Sequence, residues 1–334
     1  MTNFEFHLGH MVGGNRDLIW RNMNNLHISI TGKSGTGKSF FLKKLIAQAV
    51  SQGAVCLVPD YSSDFCDYVP SMGQRFQYID VTSPDDFALN PLMGSPGQSP
   101  AARAQQLVAS IHSLFRTGSR AAVALQKATV EYLSVDKAPS LPGLLAHISE
   151  KEHPETGLLN AIEPLELLSS LIRCGDEPIT VDLDSPGLVV LDLTSIYDQK
   201  ICSYLVNLIL QTLWNVHSQE QPPLILVFDE ARRLNWGDGS LAARILYEGR
   251  KFGIAGWFSS QCYSQREAED ALEQAELHIH FCPGERDATK LAKTLGCSRS
   301  SDLQECREHI LGLRRGQFLC LNADGKPVLV EVES

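Results

Sequence analysis

No stretch of the 334-residue sequence approaches the ~18 consecutive apolar residues that a membrane-crossing helix needs. The opening MTNFEFHLGH lacks the basic-then-apolar layout of a secretory leader. Together these absences lead to the expectation of a cytoplasmic protein without membrane contact. Cysteines spaced C-x-x-C are missing as well. The nine that exist, at 56, 66, 174, 202, 262, 282, 297, 306 and 320, are scattered, odd in number and mostly in apolar surroundings. That pattern predicts buried thiols in place of disulfides or metal ligands. The ten histidines contain no H-E-x-x-H or similar grouping, so no protein-bound transition metal is expected. Positive charge is short too: the formal net charge is −10. A surface that grips nucleic acid throughout is basic, so any such contact is confined to a small basic patch or to the lumen of an assembly. Internal repeats and a disordered tail are also absent.

What remains is an ordinary globular composition, 43% hydrophobic and 20% charged, on a chain long enough for a large core. Residues 1–25 read as a short β segment, FEFHLGHMVGG turning back into RDLIW. From His27 strands and helices alternate. Strands are predicted at HISITG, AVCLVPD (54–60), FQYIDV (76–81), PITVDL, GLVVLDL, LILVFDE (224–230), IAGWFSSQ (254–261) and LHIHFC (277–282). Helices are predicted at 39–52, 198–218, near 239–250, at 264–276 and at 286–296, with a closing β pair at 317–332. Nearly continuous apolar strands alternating with helices imply an α/β fold, a mainly parallel sheet covered on both faces. Residues 94–178 change to helical periods after the break GSPGQSP. They are read as a helical insertion in a core formed by 26–93 and 179–334.

The chemistry concentrates in three stretches. Gly32-x-x-x-x-Gly37-Lys38-Ser39 matches the phosphate-loop pattern at every position, after a strand and before a helix. Glycines let backbone N–H groups curl around an anion at a helix amino terminus. The nucleotide-binding run is therefore Gly32, Lys33, Ser34, Gly35, Thr36, Gly37, Lys38, Ser39 and Phe40, with Lys38 reaching the β and γ phosphates and Ser39 ligating Mg²⁺. Next, a buried strand ends in Asp229-Glu230, at the sheet edge where α/β folds bind ligands. Asp229 is the candidate to hold the Mg²⁺ and Glu230 the general base for an attacking water, which argues for hydrolysis and against a small-molecule kinase. Third, Gln261 ends the next strand, where its amide is placed to sense the γ phosphate or orient the water. Arg250 and Lys251 close the helix before that strand. Two readings stand open there: complementing the helix dipole, or an arginine finger reaching a neighbouring subunit's site. L-S-G-G-Q and N-K-x-D signatures are missing, which disfavours ABC ATPases and switch GTPases.

The order of these motifs resembles the HerA/FtsK superfamily of hexameric P-loop ATPases, and HerA-type ATPases in particular, over roughly residues 7–93 and 179–332. LGHMVGG followed by HISITGKSGTGKS looks like the start of that family's ATPase core, and LVPDYSSDF with ALNPLM is similar to its second strand and Asn-Pro-Leu turn. LILVFDEARRL resembles its Walker B strand, GRKFGIAGWFSSQ its finger-plus-glutamine segment, and LRRGQFLCLNADGKPVLVEV its carboxyl-terminal β pair. Three features depart from the family pattern. Gln261 is followed by Cys262 and Tyr263 where Arg-Pro is common, the second strand lacks the usual glutamate, and about 25 residues stand in place of the amino-terminal β-barrel.

The resemblance implies a RecA-like core, adenine as the base, Arg250 acting in trans, and Gln261 as the sensor. It also implies that residues just after the Walker B strand face a central channel, which makes Arg232, Arg233 and Trp236 DNA-contact candidates. Arg103, Arg116 and Arg120 of the insertion are channel candidates or members of a solvated helical face. The function so implied is a ring ATPase, a hexamer, that couples Mg-ATP hydrolysis to translocating or remodelling double-stranded DNA. The resemblance also implies a nuclease or other effector partner, in end processing or phage defence, and with no nuclease site visible in the chain any cutting would come from that partner. The alternatives are an ATP-gated scaffold controlling a protein partner, and a conjugation or secretion coupling ATPase.

Overall fold

The computed structural model describes residues 3–333 apart from 15, 67, 69–74, 96, 137, 151–155, 238–239, 262–265, 296–299 and 322–325. Its centre is a parallel array of seven strands: β3 (Ile28–Thr31), β4 (Val55–Asp60), β5 (Phe76–Asp80), β6 (Gly187–Asp192), β7 (Leu224–Phe228), β8 (Ile254–Ser260) and β9 (Leu277–Phe281). They lie in the order β9-β3-β8-β7-β4-β6-β5. Every residue of β4, β7 and β8 is buried, as their continuous apolar sequence requires of strands covered on both sides. A hairpin of β1 (Glu5–Met11) and β2 (Asp17–Arg21) and a second of β10 (Gln317–Leu321) and β11 (Pro327–Glu331) continue the sheet antiparallel beyond β9. The two ends of the chain thus share one edge, and the sheet reaches eleven strands.

One face of the sheet is covered by α1 (Lys38–Ser51). Its Phe41, Leu42, Leu45, Ile46, Ala49 and Val50 repeat at helical spacing and pack on Ile28, Ile30, Val58, Val190, Val227 and Trp257. The other face carries α2 (Pro100–Phe115), α3 (Ser119–Val135), α4 (Leu141–Ser149), α5 (Thr156–Leu171), α6 (Gln199–Val216) and α7 (Leu241–Glu248). Ser99 starts α2 by accepting the Ala102 N–H at 3.2 Å, with Pro100 in the first turn, and Asp198 caps α6 on the N–H groups of Lys200 and Ile201. No helix among the described residues is long and apolar enough to cross a membrane.

Helices α2 to α5, inserted between β5 and β6, share a single hydrophobic core with α6, α7 and the sheet. Their stem is closed by short β bridges, Ala88 with Arg173 and Leu89 with Ile179. PITVDL is therefore not a strand of the sheet. Its Ile179, Val181 and Leu183 point into the core, which explains the alternation, but the backbone bonds only across the stem. Two short helices flank β9, α8 (Arg266–Leu272) and α9 (Glu285–Thr294). A further one, α10 (Ser300–Leu311), had no clear signal, because its polar sequence packs only a small patch around Ile310 against α9.

Asn90, in the Asn-Pro-Leu turn, holds the stem together. It is 2% exposed, its amide donates to the carbonyls of Pro139 (2.8 Å) and Gly175 (3.0 Å), and its oxygen accepts the Leu92 N–H. Asn90→Ala strands the buried Pro139 carbonyl and the part-buried Gly175 carbonyl, so it is expected to cost about 1–3 kcal/mol in urea-induced unfolding.

Candidate nucleotide site

The carboxyl ends of β3, β7 and β8 meet at one edge of the sheet, and the loop from Gly32 to Gly37 crosses above them into α1. Gly32, Gly35 and Gly37 all have positive φ, at 150°, 76° and 110°. At Gly32 the requirement is also one of space: a Cβ there would lie 2.6 Å from the Cβ of Phe281. The loop is pinned from below and from the side. Gly32 N–H donates to the Ser260 carbonyl (3.2 Å), Lys33 N–H to the Cys282 carbonyl (2.8 Å), and Gly316 N–H to the Thr36 carbonyl (2.9 Å). The Lys38 ammonium donates to the Lys33 carbonyl at 3.0 Å, curled beneath its own loop. Phe40 is exposed beside the loop, with the Lys44 ammonium 5.2 Å from its ring centre.

Asp229 joins the two motifs. One carboxylate oxygen accepts the Ser39 hydroxyl and the other accepts the Ser259 hydroxyl at 2.8 Å. The strand register brings this about: Phe228 lies across from Phe258 in the β7–β8 ladder, so Ser259 comes beside Asp229 one step further on. Burial lifts the Asp229 carboxyl above the ordinary carboxylate range, and the two serine hydroxyls and Lys38 oppose the lift. Burial likewise lowers the Lys38 ammonium, with Asp229 and Glu230 pulling it back up. An unsatisfied pull toward positive charge at Asp229, a hydroxyl already on it, and an ammonium under a glycine loop are the donor set that a polyphosphate with a divalent cation fits.

Glu230 is half-buried and accepts the Arg232 Nε–H at 2.8 Å. Arg233 lies over the ring of Tyr61 at 4.7 Å, and Tyr61 follows Asp60, whose buried carboxylate is spent on the N–H groups of Ser62, Asp64 and Phe65. Gln261 follows directly on the residue whose carbonyl holds Gly32. It lines a cavity of about 340 Å³ with Thr31, His278 and His280. Thr31 Oγ1 and His280 Nδ1 are 2.8 Å apart there, and burial pushes the His280 imidazole down to about 4. Cys262 and Tyr263 lie outside the described residues.

Two candidates stand elsewhere. Arg250 is exposed in the single 3₁₀ turn before β8, on the wall of a cleft of about 640 Å³ at the amino edge of the sheet with His27 and Ile254. The seven residues of β8, at about 3.3 Å each, set it roughly 23 Å from its own loop. Trp236, expected at a channel, is instead a core residue at 2% exposure. Its indole donates to the Ala231 carbonyl and its ring packs on Phe258, because the turn after β7 folds back on the sheet. In the insertion, Arg103 is half-buried and donates to the Leu92 carbonyl, while Arg116 and Arg120 are exposed. Residues the motifs did not point to are Ser259, Phe281, Cys282 and Gly316. Of these only Ser259 carried a signal, as one of the two hydroxyls, with Ser260, that end an otherwise apolar buried strand.

Because the nucleotide-free fold binds the Asp229 proton more tightly than the unfolded chain does, this group favours folding most in acid. That contribution is lost as pH rises from the ordinary carboxylate range through the raised value. Asp229→Asn is expected to raise the neutral-pH Tm of the nucleotide-free protein and to flatten its fall with pH relative to wild type. Lys38→Ala is expected to lower kcat for ATP by about 10²–10³-fold.

Residues 6–213, more than half of the chain, match the family model described as Helicase HerA, central domain. No curated protein matches the chain. Among solved structures, VirB4 of Thermoanaerobacter pseudethanolicus is similar over 98% of this chain and 96% of its own, at 19% identity and a TM-score of 0.78. The plasmid coupling protein TrwB in complex with the ATP analogue ADPNP is similar over 92% of this chain and 85% of its own, at 15% identity and a TM-score of 0.65. TrwB in complex with ADP and Mg²⁺ matches at 14% identity, 92% and 84% coverage, and the same TM-score. The loop, the paired carboxylates and the matched residues agree, and the chain belongs to the HerA central-domain family of P-loop ATPases.

Proposed function

We propose that the chain is a ring-forming Mg-ATP hydrolase, a hexamer, that couples turnover to translocation or remodelling of double-stranded DNA and works with a nuclease or other effector. The observation that carries the ring is the separation of Arg250 from its own loop. A guanidinium on the opposite edge of the sheet cannot reach the phosphates held by its own chain, yet it stands on the surface that a neighbour's loop can meet. Hydrolysis then requires assembly, and a finger supplied in trans is typically worth about 10³–10⁵ in rate.

In the site, the loop N–H groups and Lys38 hold the β and γ phosphates, and Ser39 and Asp229 hold the cation. TrwB, bound to ADPNP or to ADP and Mg²⁺, supports this ligand choice. Mg²⁺ supplies charge neutralisation at the transferring phosphoryl group. Glu230 accepts the proton of the attacking water, and Gln261 orients that water from the end of β8.

The pair between Glu230 and Arg232 links the site to DNA. While Arg232 donates to Glu230, the carboxylate is a poorer base. A phosphate that draws Arg232 away releases Glu230 for water, so the same residue binds the polymer and gates the chemistry. Arg233 is the second contact, and Trp236 takes no part from its buried position. A basic contact confined to this turn is compatible with the net charge of −10. The likeness to TrwB, a bacterial conjugative coupling protein, supports a second reading, a conjugation or secretion coupling ATPase with the same site.

The test is ATP hydrolysis by the purified protein with and without linear duplex DNA, with native mass recorded alongside. A hexamer accelerated several-fold by DNA supports the proposal. A ring that hydrolyses ATP at the same rate with and without DNA overturns the DNA reading and leaves the second reading or an ATP-gated scaffold. An exposed ion pair is worth about 0.2–1 kcal/mol, so Arg232→Ala is expected to raise the DNA-free rate roughly 1.5- to 5-fold and to abolish stimulation by DNA.

A further inference from the structure

Two histidines at positions i and i+3 of a regular strand point to opposite faces. His7 and His10 do not, because β1 carries a bulge. His7 lies across from Ile19, but Gly9 lies across from Leu18 and His10 from Asp17, so one extra residue is taken up between them. Asp17 and Ile19 are two apart and share a face, and the bulge therefore sets His7, His10 and Asp17 on that one face. The position of the bulge needs glycine: Gly9 has φ +141°, and a Cβ there would lie 2.3 Å from the Glu331 carbonyl oxygen. On the other side, His10 pairs with Glu331, so Glu333, two residues on, falls on the same face again.

The side chains converge. His7 Nε2 is 3.1 Å from one Asp17 carboxylate oxygen, His10 Nδ1 contacts the other, and His10 Nε2 is 2.6 Å from Glu333 Oε1. The three ligand atoms offered by His7, His10 and Asp17 all lie within 4.8 Å of one another. Ligands around a tetrahedral zinc ion, at 2.0–2.2 Å from the metal, stand about 3.3 Å apart. His10 has a carboxylate at each ring nitrogen, but a neutral imidazole carries a single N–H. In that neutral form it donates to one carboxylate and presents a lone pair to the other. With Nε2–H on Glu333, the lone pair of Nδ1 faces Asp17 and His7 Nε2, and Glu333 takes the orienting role that a carboxylate commonly plays behind a metal-bound histidine.

We propose that His7, His10 and Asp17 bind a zinc-class divalent ion, with Glu333 orienting His10 and water completing the coordination on the exposed side. The ion joins β1 to β2, and through Glu333 it reaches the strand end beyond β11. The same strand is bonded to α1, where Gln48 accepts the His7 N–H and donates to the His7 carbonyl. The site is thus a clip on the hairpin that abuts the phosphate-loop helix, separate from the nucleotide site.

The test uses the full-length protein after chelation and dialysis, titrated with Zn²⁺ alone by calorimetry, with Tm recorded in parallel. Co²⁺ gives the geometry through its visible absorption. The expected result is one Zn²⁺ per chain, a raised Tm, and a tetrahedral Co²⁺ spectrum. His7→Ala and Asp17→Asn each abolish stoichiometric binding, Glu333→Ala weakens it about 10- to 100-fold, and Lys38→Ala leaves it unchanged. Circular dichroism identical to wild type shows that these hairpin variants fold. No binding at one equivalent overturns the proposal and leaves an imidazolium–carboxylate cluster. Binding that survives both His7→Ala and Asp17→Asn also overturns it, assigning the ion to residues outside this hairpin.

Discussion

The carboxylate of Asp229 takes one hydroxyl from the phosphate-loop helix and one from the neighbouring strand, and the site depends on that double acceptance. Asp229 follows β7 and Ser39 lies in the first turn of α1, and between β7 and β3 runs β8, which contributes Ser259. Three elements far apart in sequence are therefore registered to one another by two oxygens on a single residue. The carboxylate is buried against its own preference for water, and that burial raises its proton affinity above the ordinary carboxylate range. A protein designed only for stability would not keep it. Its cost is offset by the surrounding apolar sheet, where Phe228, Phe258 and Trp257 are fully buried.

The rest of the architecture keeps that edge rigid and places Arg250 at the opposite edge. The loop is held by carbonyls of Ser260 and Cys282, at the ends of β8 and β9, and by a bond with Gly316 just before β10, so its shape follows from the sheet and not from its glycines alone. At the far end of β8 stands Arg250, and the strand between it and Gln261 acts as a strut of fixed length. In a ring, one copy's strut carries a guanidinium toward its neighbour while its other end meets its own loop. In the proposed ring, that arrangement would make communication between adjacent sites a matter of rigid geometry.

Much of this was legible in the sequence because its signals are local. The strand, glycine loop and helix at 27–52, the Asp229-Glu230 strand end and the alternation from β6 to β9 are each made of elements legible from their own contiguous residues. What was not legible depends on distant residues. PITVDL alternates as a strand should, yet the alternation serves packing against the inserted helices, and pairing is a property of neighbours the sequence does not name. Trp236 follows two arginines in a segment that resembles a channel surface, but its burial is decided by a carbonyl five residues back and a ring on the next strand. The shared face of His7 and His10 depends on a bulge, and a one-residue slip inverts every face beyond it.

The central claim is that a working site is built from two chains. The direct measurement mixes two separately purified variants, Lys38→Ala, whose loop is crippled, and Arg250→Ala, whose finger is missing, and records ATP hydrolysis after subunit exchange. Each variant alone is expected to be nearly inactive, and the mixture to recover a substantial fraction of the wild-type rate, because an intact loop then meets a neighbour's intact finger. A mixture no more active than the sum of its parts, or an Arg250→Ala protein as fast as wild type, would contradict a site shared between subunits.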